Sequence, residues 1–318
     1  MSNLSTRLRP IVGAYPELIS VLGAATVGLT VQSPLAWLAS HQGIDVLLAV
    51  LVFATALTIE PAALRRVGGS SCPLMVAVAT GIIVLPALSW LASRLVPVGS
   101  LRDGVMVAGL APCEIASVAT TAMARGEAAL SAGVLVGSTV AIVVLAGPVL
   151  TFEAGHASVH PGGIVINLAL VVALPLAVGI LVRGSSSLAE RAERPANVVA
   201  VASVAALVAL IAAEVHFSVS YFGVAAALAV FLVASAGLGR LLGFKAERRV
   251  RSALLLTTSM RDFAIAADLA VAAFGPAAAA PLGLYGILVL VWGSAVAGVL
   301  RQRNPECAPI KFGYSSLR

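Results

Sequence analysis

The stretch Leu254–Gly275, LLLTTSMRDFAIAADLAVAAFG, sets Arg261, Asp262 and Asp268 inside what otherwise reads as a membrane span. If that span opens near Val250, Met260 lies about ten residues in, or roughly 15 Å along a helix, close to the middle of a bilayer. Insertion scales charge about 3 kcal/mol for each ionised residue at such a depth, so these side chains face protein or a wet cavity and mark a route for ions or substrate. Thr257, Thr258 and Ser259, just ahead of them, are hydroxyls suited to backbone groups freed by a break in the helix.

Composition agrees with a membrane setting. The 318 residues are 60% hydrophobic and 11% charged, and the mean hydropathy is +1.04, far from soluble averages. Apolar windows place spans at Leu18–Val31, Val46–Thr58, Leu74–Leu95, Val105–Met123, Ala128–Leu150, Gly163–Val182, Asn197–Ala213, Tyr221–Leu242, Val250–Phe274 and Leu282–Leu300. The expected fold is an all-α polytopic membrane protein of ten helices in a single membrane domain. The polar start MSNLSTRLRP lacks the order of a cleaved signal, so the first apolar run is expected to stay.

Ten spans with an inner N-terminus put every lysine and arginine on the cytoplasmic side, apart from Arg94, Arg102 and the intramembrane Arg261. The positive-inside rule then orients both termini to the cytoplasm of a cell inner (plasma) membrane. Net charge +6 is spread through loops without interleaved aromatics, which excludes nucleic acid as a partner. Cys72, Cys113 and Cys307 are too few and scattered for a disulfide framework or a metal site. His156 and His160 have helical metal-pair spacing but lie between Gly155 and Pro161 in an expected loop, which argues against a metal. No phosphate loop, nucleophile elbow or zinc-protease run is present, so the chain is not expected to be an enzyme or to use a cofactor. No obligatory protein partner is evident; membrane lipid surrounds it.

The fourth span carries a second anomaly, GLAPCEIASVATTAMARGEAALS over Gly109–Ser131. Pro112 removes a backbone donor in mid-span and Glu114 follows at once, so a second broken helix is expected. Aligning Gly126 with Gly275 sets Cys113 and Glu114 opposite Asp262 and Phe263. The fourth and ninth spans thus carry acids at similar depth in two five-helix halves, 1–150 and 163–300, ahead of a tail at 301–318. An odd number of helices per half inverts the second, as in transporters whose broken helices cross at a midplane binding site. Glu114, Arg261 and Asp262 then serve in one of two ways. They hold the broken helices together as a nearly neutral buried cluster, or the carboxylates titrate while Arg261 offers a planar fork to a substrate carboxylate or sulfonate. Asp268, seven residues past Arg261, falls on the same face if the helix resumes. Pro86, Pro148 and Pro175 fall inside spans and are expected to be tolerated there.

Three stretches carry a family resemblance: ATALTIEPAALRR (54–66), APCEIASVATTAMARGEAALS (111–131) and TTSMRDFAIAADLA (257–270). In order and spacing they resemble the bile acid:sodium symporter family. The resemblance implies two inverted five-helix repeats, a core around crossed fourth and ninth helices, a panel moving against it, and import of a small organic anion with sodium. The departures fall where sodium should bind. Val118 follows Ser117 where asparagine is usual, Leu135 replaces a threonine although Ser131 matches, and Gly81 stands where the third helix carries glutamine. Thr257 and Arg261 take the places of a glutamate and a glutamine, while Glu114 and Asp262 stand where glycine and asparagine are usual. What remains of a sodium site is Ser117, Ser131 and the oxygens at Thr257, Thr258 and Met260. Sodium favours hard oxygen ligands, so this loss weakens the site. Arg261 is expected to act as a tethered cation neutralised by Glu114 or Asp262, with transport driven by H+ or uncoupled. The alternatives are Na+ coupling through a rearranged site that uses Glu114, or a membrane sensor that binds a ligand without moving it.

Overall fold

The computed structural model describes residues 23–24, 26–38, 42–59, 61, 71–153, 161–185, 188–213 and 220–303. His156, His160, Cys307 and most of the tail lie outside these residues. The described chain is helical. Its elements are α1 (Gln32–Leu38), α2 (Ile44–Ala56), α3 (Ser71–Ser93), α4 (Ser100–Val107), α5 (Ala116–Met123), α6 (Ala128–Glu153), α7 (Pro161–Leu168), α8 (Leu174–Ser185), α9 (Leu188–Ala213), α10 (Ser220–Leu242), α11 (Arg248–Ser259), α12 (Phe263–Phe274) and α13 (Ala280–Arg303).

Among the described residues, five helices are long and apolar enough to cross a membrane: Cys72–Ser93, Ala128–Leu150, Gly162–Ser185, Tyr221–Leu242 and Pro276–Arg303. Large apolar side chains point outward on several of them, with Phe222 81% and Ile83 70% exposed. Soluble proteins seldom expose apolar surface on this scale, whereas lipid solvates it. The protein is a membrane protein.

Both expected breaks are present. The fourth apolar window divides into α4 and α5, and the ninth into α11 and α12. Pro86 and Pro148 sit inside the continuous α3 and α6. Pro175 follows a π-helical turn at Ala169–Ala173 that joins α7 to α8. A proline cannot donate to the carbonyl four residues back, and a wider turn relieves the clash its ring would make there. Gly275, at φ 88°, ends α12 in a conformation that few other residues adopt without strain.

The helices pack as two groups. In one, α2 lies against α8 and α9, with α1 on α9. In the other, α10 lies on α11 and α3, α3 on α4 and α6, and α13 on α5, α4 and α12. The groups meet where α7 packs along α6, where α2, α7 and α9 touch α12, and where α9 touches α13. At this boundary a small cavity, with room for about one water molecule, is lined by Val52, Thr55, Val172 and Leu176 from the first group, and by Ile115, Leu135, Thr139 and Ile265 from the second.

Candidate functional site

The two breaks are joined backbone to backbone. Cys113 and Arg261 form an isolated antiparallel bridge. Glu114 N–H donates to the Met260 carbonyl at 2.9 Å, and Asp262 N–H donates to the Pro112 carbonyl at 3.0 Å. These bonds flank a non-hydrogen-bonded pair, the geometry that brings side chains of facing residues closest. Each break thus satisfies polar groups that the other frees, which a low-dielectric interior demands. The bridge sets Cys113 against Arg261, with Glu114 facing Met260 and Pro112 facing Asp262.

Two carboxylates stand over the restarting helices. Asp262 caps α12, its Oδ1 accepting from Ala264 N–H at 3.0 Å and Ile265 N–H at 2.9 Å. Glu114 lies against the backbone N–H groups of Ala116, Phe263 and Ile115, at the starts of α5 and α12. Both positions are where a helix dipole favours negative charge. Asp262→Ala should cost about 0.5–2 kcal/mol through loss of the cap, read as a lower melting temperature, whereas Asp262→Asn keeps an acceptor and should cost distinctly less.

Arg261 is the largest fully buried side chain among the described residues. Its Nη2 donates to the Ala111 carbonyl, and its charge attracts Asp262, which in turn repels Glu114. Room for the guanidinium comes from Gly81, where a Cβ would lie 3.4 Å from both Nη1 and Nη2. Arg261 Nε, Glu114 Oε2 and Asp262 Oδ2 are buried without hydrogen-bond partners. The crossing therefore has one donor and two acceptors open to a further group.

The hydroxyls named as the remnant of a sodium site are mostly engaged. Ser117 Oγ lies 2.9 Å from Cys113 Sγ, Thr121 Oγ1 donates to Ser131 Oγ at 3.3 Å, and Thr257 Oγ1 donates to the Ala253 carbonyl at 2.8 Å. The Met260 carbonyl is taken by Glu114 N–H. Thr258 Oγ1 is buried with no partner. The expectation that Thr257 and Ser259 would satisfy the broken backbone is corrected here. Their hydroxyls bond back to Ala253 and Leu255 within α11, because the carbonyl four residues earlier is the nearest acceptor on a helix. The break is closed by the bridge and by Tyr285, whose hydroxyl donates to the Ser259 carbonyl at 3.4 Å.

Asp268 lies elsewhere. Asn167 Nδ2 is 3.3 and 3.2 Å from its two oxygens, and the charge of Asp45 acts on the same carboxyl. The face shared with Arg261 required an unbroken helix; since α12 begins at Phe263, Arg261 is not on it. Asp45, Asn167, Thr55 and Tyr285 escaped the sequence reading. Asp45 and Asn167 carried a signal all the same, as polar residues at the margins of apolar windows.

The sequence model of the Sodium Bile acid symporter family matches residues 45–261 of this chain. The chain belongs to this family. The match covers more than half of the protein and ends on Arg261, inside the crossing. A relative, the uncharacterized sodium-dependent transporter YocS of Bacillus subtilis, is 25% identical over 289 residues, covering 88% of this chain and 88% of its own length. Members of the Sodium Bile acid symporter family are transporters and not enzymes, and the protein is a transporter of this kind. Within the family frame, two of the three resembling stretches, 111–131 and 257–270, hold the crossing itself.

Proposed function

We propose that this protein is a secondary active transporter that carries a small organic anion by alternating access, with Arg261 standing in the crossing as a fixed cation in place of a sodium ion. The observation that carries the reading is the guanidinium packed against Gly81 beside Asp262. In the family resemblance positions 81 and 261 hold glutamines, the one at 261 flanking sodium. A hard cation needs several oxygens, and at this crossing the hydroxyls of Ser117, Ser131 and Thr257 already have protein partners. An arginine keeps its proton, so a coupling proton rides on a carboxylate; without one, transport is uncoupled. The two packing groups supply the bodies that separate, and substrate is taken up between them as they part. The full architecture is ten spans in two inverted repeats, 1–150 and 163–300, in an inner membrane with both termini cytoplasmic, as the arginine and lysine distribution supports.

A second reading has an observation of its own. Glu114 Oε2 and Thr258 Oγ1 are unpartnered buried oxygens, the nucleus of a rearranged sodium site, and the relative YocS is described as sodium-dependent. Uptake of a panel of small carboxylates and sulfonates into proteoliposomes separates the two. The proposal expects at least one anion to accumulate at the same rate whether sodium or potassium is outside. A sodium gradient that drives uptake equally in wild type and Arg261→Ala would overturn it.

A further inference from the structure

Far from the crossing, one end of the helices carries a patch that is both strongly basic and apolar. The stretch 240–251, RLLGFKAERRVR, joins α10 to α11 and sets five basic residues against one acid, Glu247. Since α10 ends at Leu242, the carbonyls just beyond it lack helical donors. Arg251 supplies them: its Nε donates to the Gly243 carbonyl at 2.9 Å, and its Nη2 to the carbonyls of Phe244 at 2.9 Å and Ala246 at 3.2 Å. A guanidinium is a rigid fork of donors, so three bonds to it hold the turn in one shape. That shape displays an aromatic ring. Phe244 is 71% exposed, and Leu241 beside it 69%.

Cations from distant parts of the chain gather around this turn. Arg248 Nη1 donates to the Arg303 carbonyl at 3.3 Å, which brings Arg301 and Arg303, in the last turn of α13, to the first turn of α11. Arg240, Lys245, Arg248, Arg249, Arg301 and Arg303 are all exposed. Their depth follows from helix length. The 12 residues of α11 run roughly 18 Å back from the break near the bilayer middle, and the hydrocarbon ends about 15 Å from that middle. The first turn of α11 therefore sits at headgroup level, where aromatic rings settle and basic side chains meet phosphate.

From this arrangement we infer that the α10–α11 turn and the end of α13 form a binding site for an anionic phospholipid. Phe244 lies against its acyl chains, and Lys245, Arg248, Arg249, Arg301 and Arg303 surround its phosphate. A zwitterionic lipid offers the same chains without the net charge, so the cations favour the anionic one. The site is independent of the transported substrate and of the coupling ion.

The test is contact quenching of tryptophan fluorescence by brominated lipids. Phe244→Trp keeps an aromatic ring in the turn, and subtracting the signal of Trp37, Trp90 and Trp292 in wild type isolates position 244. The full-length variant is placed in phosphatidylcholine bilayers that contain either brominated phosphatidylglycerol or brominated phosphatidylcholine. The glycerol lipid should reach half-quenching at about fivefold lower mole fraction, the change that about 1 kcal/mol from one cation produces. The preference should shrink in about 1 M salt, where the Debye length is about 3 Å. Adding Lys245→Gln, Arg249→Gln and Arg301→Gln should make the two lipids quench alike while quenching by phosphatidylcholine stays. These side chains are exposed, so their loss leaves the fold intact. Equal quenching by both lipids before the cations are removed, no quenching by either, or a preference that survives their removal would each overturn the site. Soluble glycerol phosphate that relieves quenching by phosphatidylglycerol would also overturn it, by showing that the cations take a free phosphate.

Discussion

Arg261→Met lowers the stability of the folded protein by about 3–5 kcal/mol, the loss expected when one partner of a buried charge pair is removed and the other stays. Glu114 and Asp262 already repel, and Arg261 is the positive charge that acts on Asp262. Methionine has similar length and leaves little cavity, so the loss reports charge rather than packing. The double variant Arg261→Met/Asp262→Asn restores the net charge of the crossing while retaining an acceptor over α12. It should therefore recover much of the loss. The measurement is a double-mutant cycle on melting temperature in detergent, with an expected interaction energy of about 0.5–3 kcal/mol in favour of the pair. Losses that simply add would mean that Arg261 acts on the backbone through Ala111 alone.

Giving the crossing back its oxygens should give it back an ion. The variant Gly81→Gln/Thr257→Glu/Arg261→Gln replaces the guanidinium with the residue types that the family resemblance sets at these three positions. Removing Arg261 also clears the space against which a glutamine at 81 would collide, since a Cβ there already touches Nη1 and Nη2. In this variant sodium should raise the melting temperature saturably, and a hundredfold excess over Kd should contribute about 2.7 kcal/mol. Potassium and choline at equal ionic strength should not. Gly81→Gln alone should instead destabilise, because the new side chain and the guanidinium compete for one space. Sodium stabilisation that is equal in the variant and in wild type would remove the basis for reading Arg261 as a substitute ion.

Much of this site was legible in the sequence because charge is so costly in a membrane. Pro112 with Glu114, and Arg261 with Asp262, announced two broken helices, and both breaks are where those residues stand. The contact between the breaks, antiparallel with Glu114 facing Met260 and Asp262 facing Pro112, was not legible, because likeness between two halves says nothing of how they touch. Hydroxyl partners were read wrongly. A threonine on a helix has an acceptor one turn behind it, which Thr257 uses, whereas the carbonyl freed at Ser259 is met by Tyr285 from a distant helix. Asp268 could be flagged from sequence as an intramembrane acid, but its partners Asp45 and Asn167 come from other helices. Only the packing of α2 and α7 against α12 makes them neighbours.

The central claim is that a fixed guanidinium has taken the place of sodium at the crossing. Its most direct test is the melting temperature of the purified wild-type protein across sodium, potassium and choline salts at equal ionic strength. The account predicts the same melting temperature in all three. A saturable rise with sodium alone would contradict it, since a bound ion stabilises the folded state whatever the substrate; the altered crossing would then still build a sodium site.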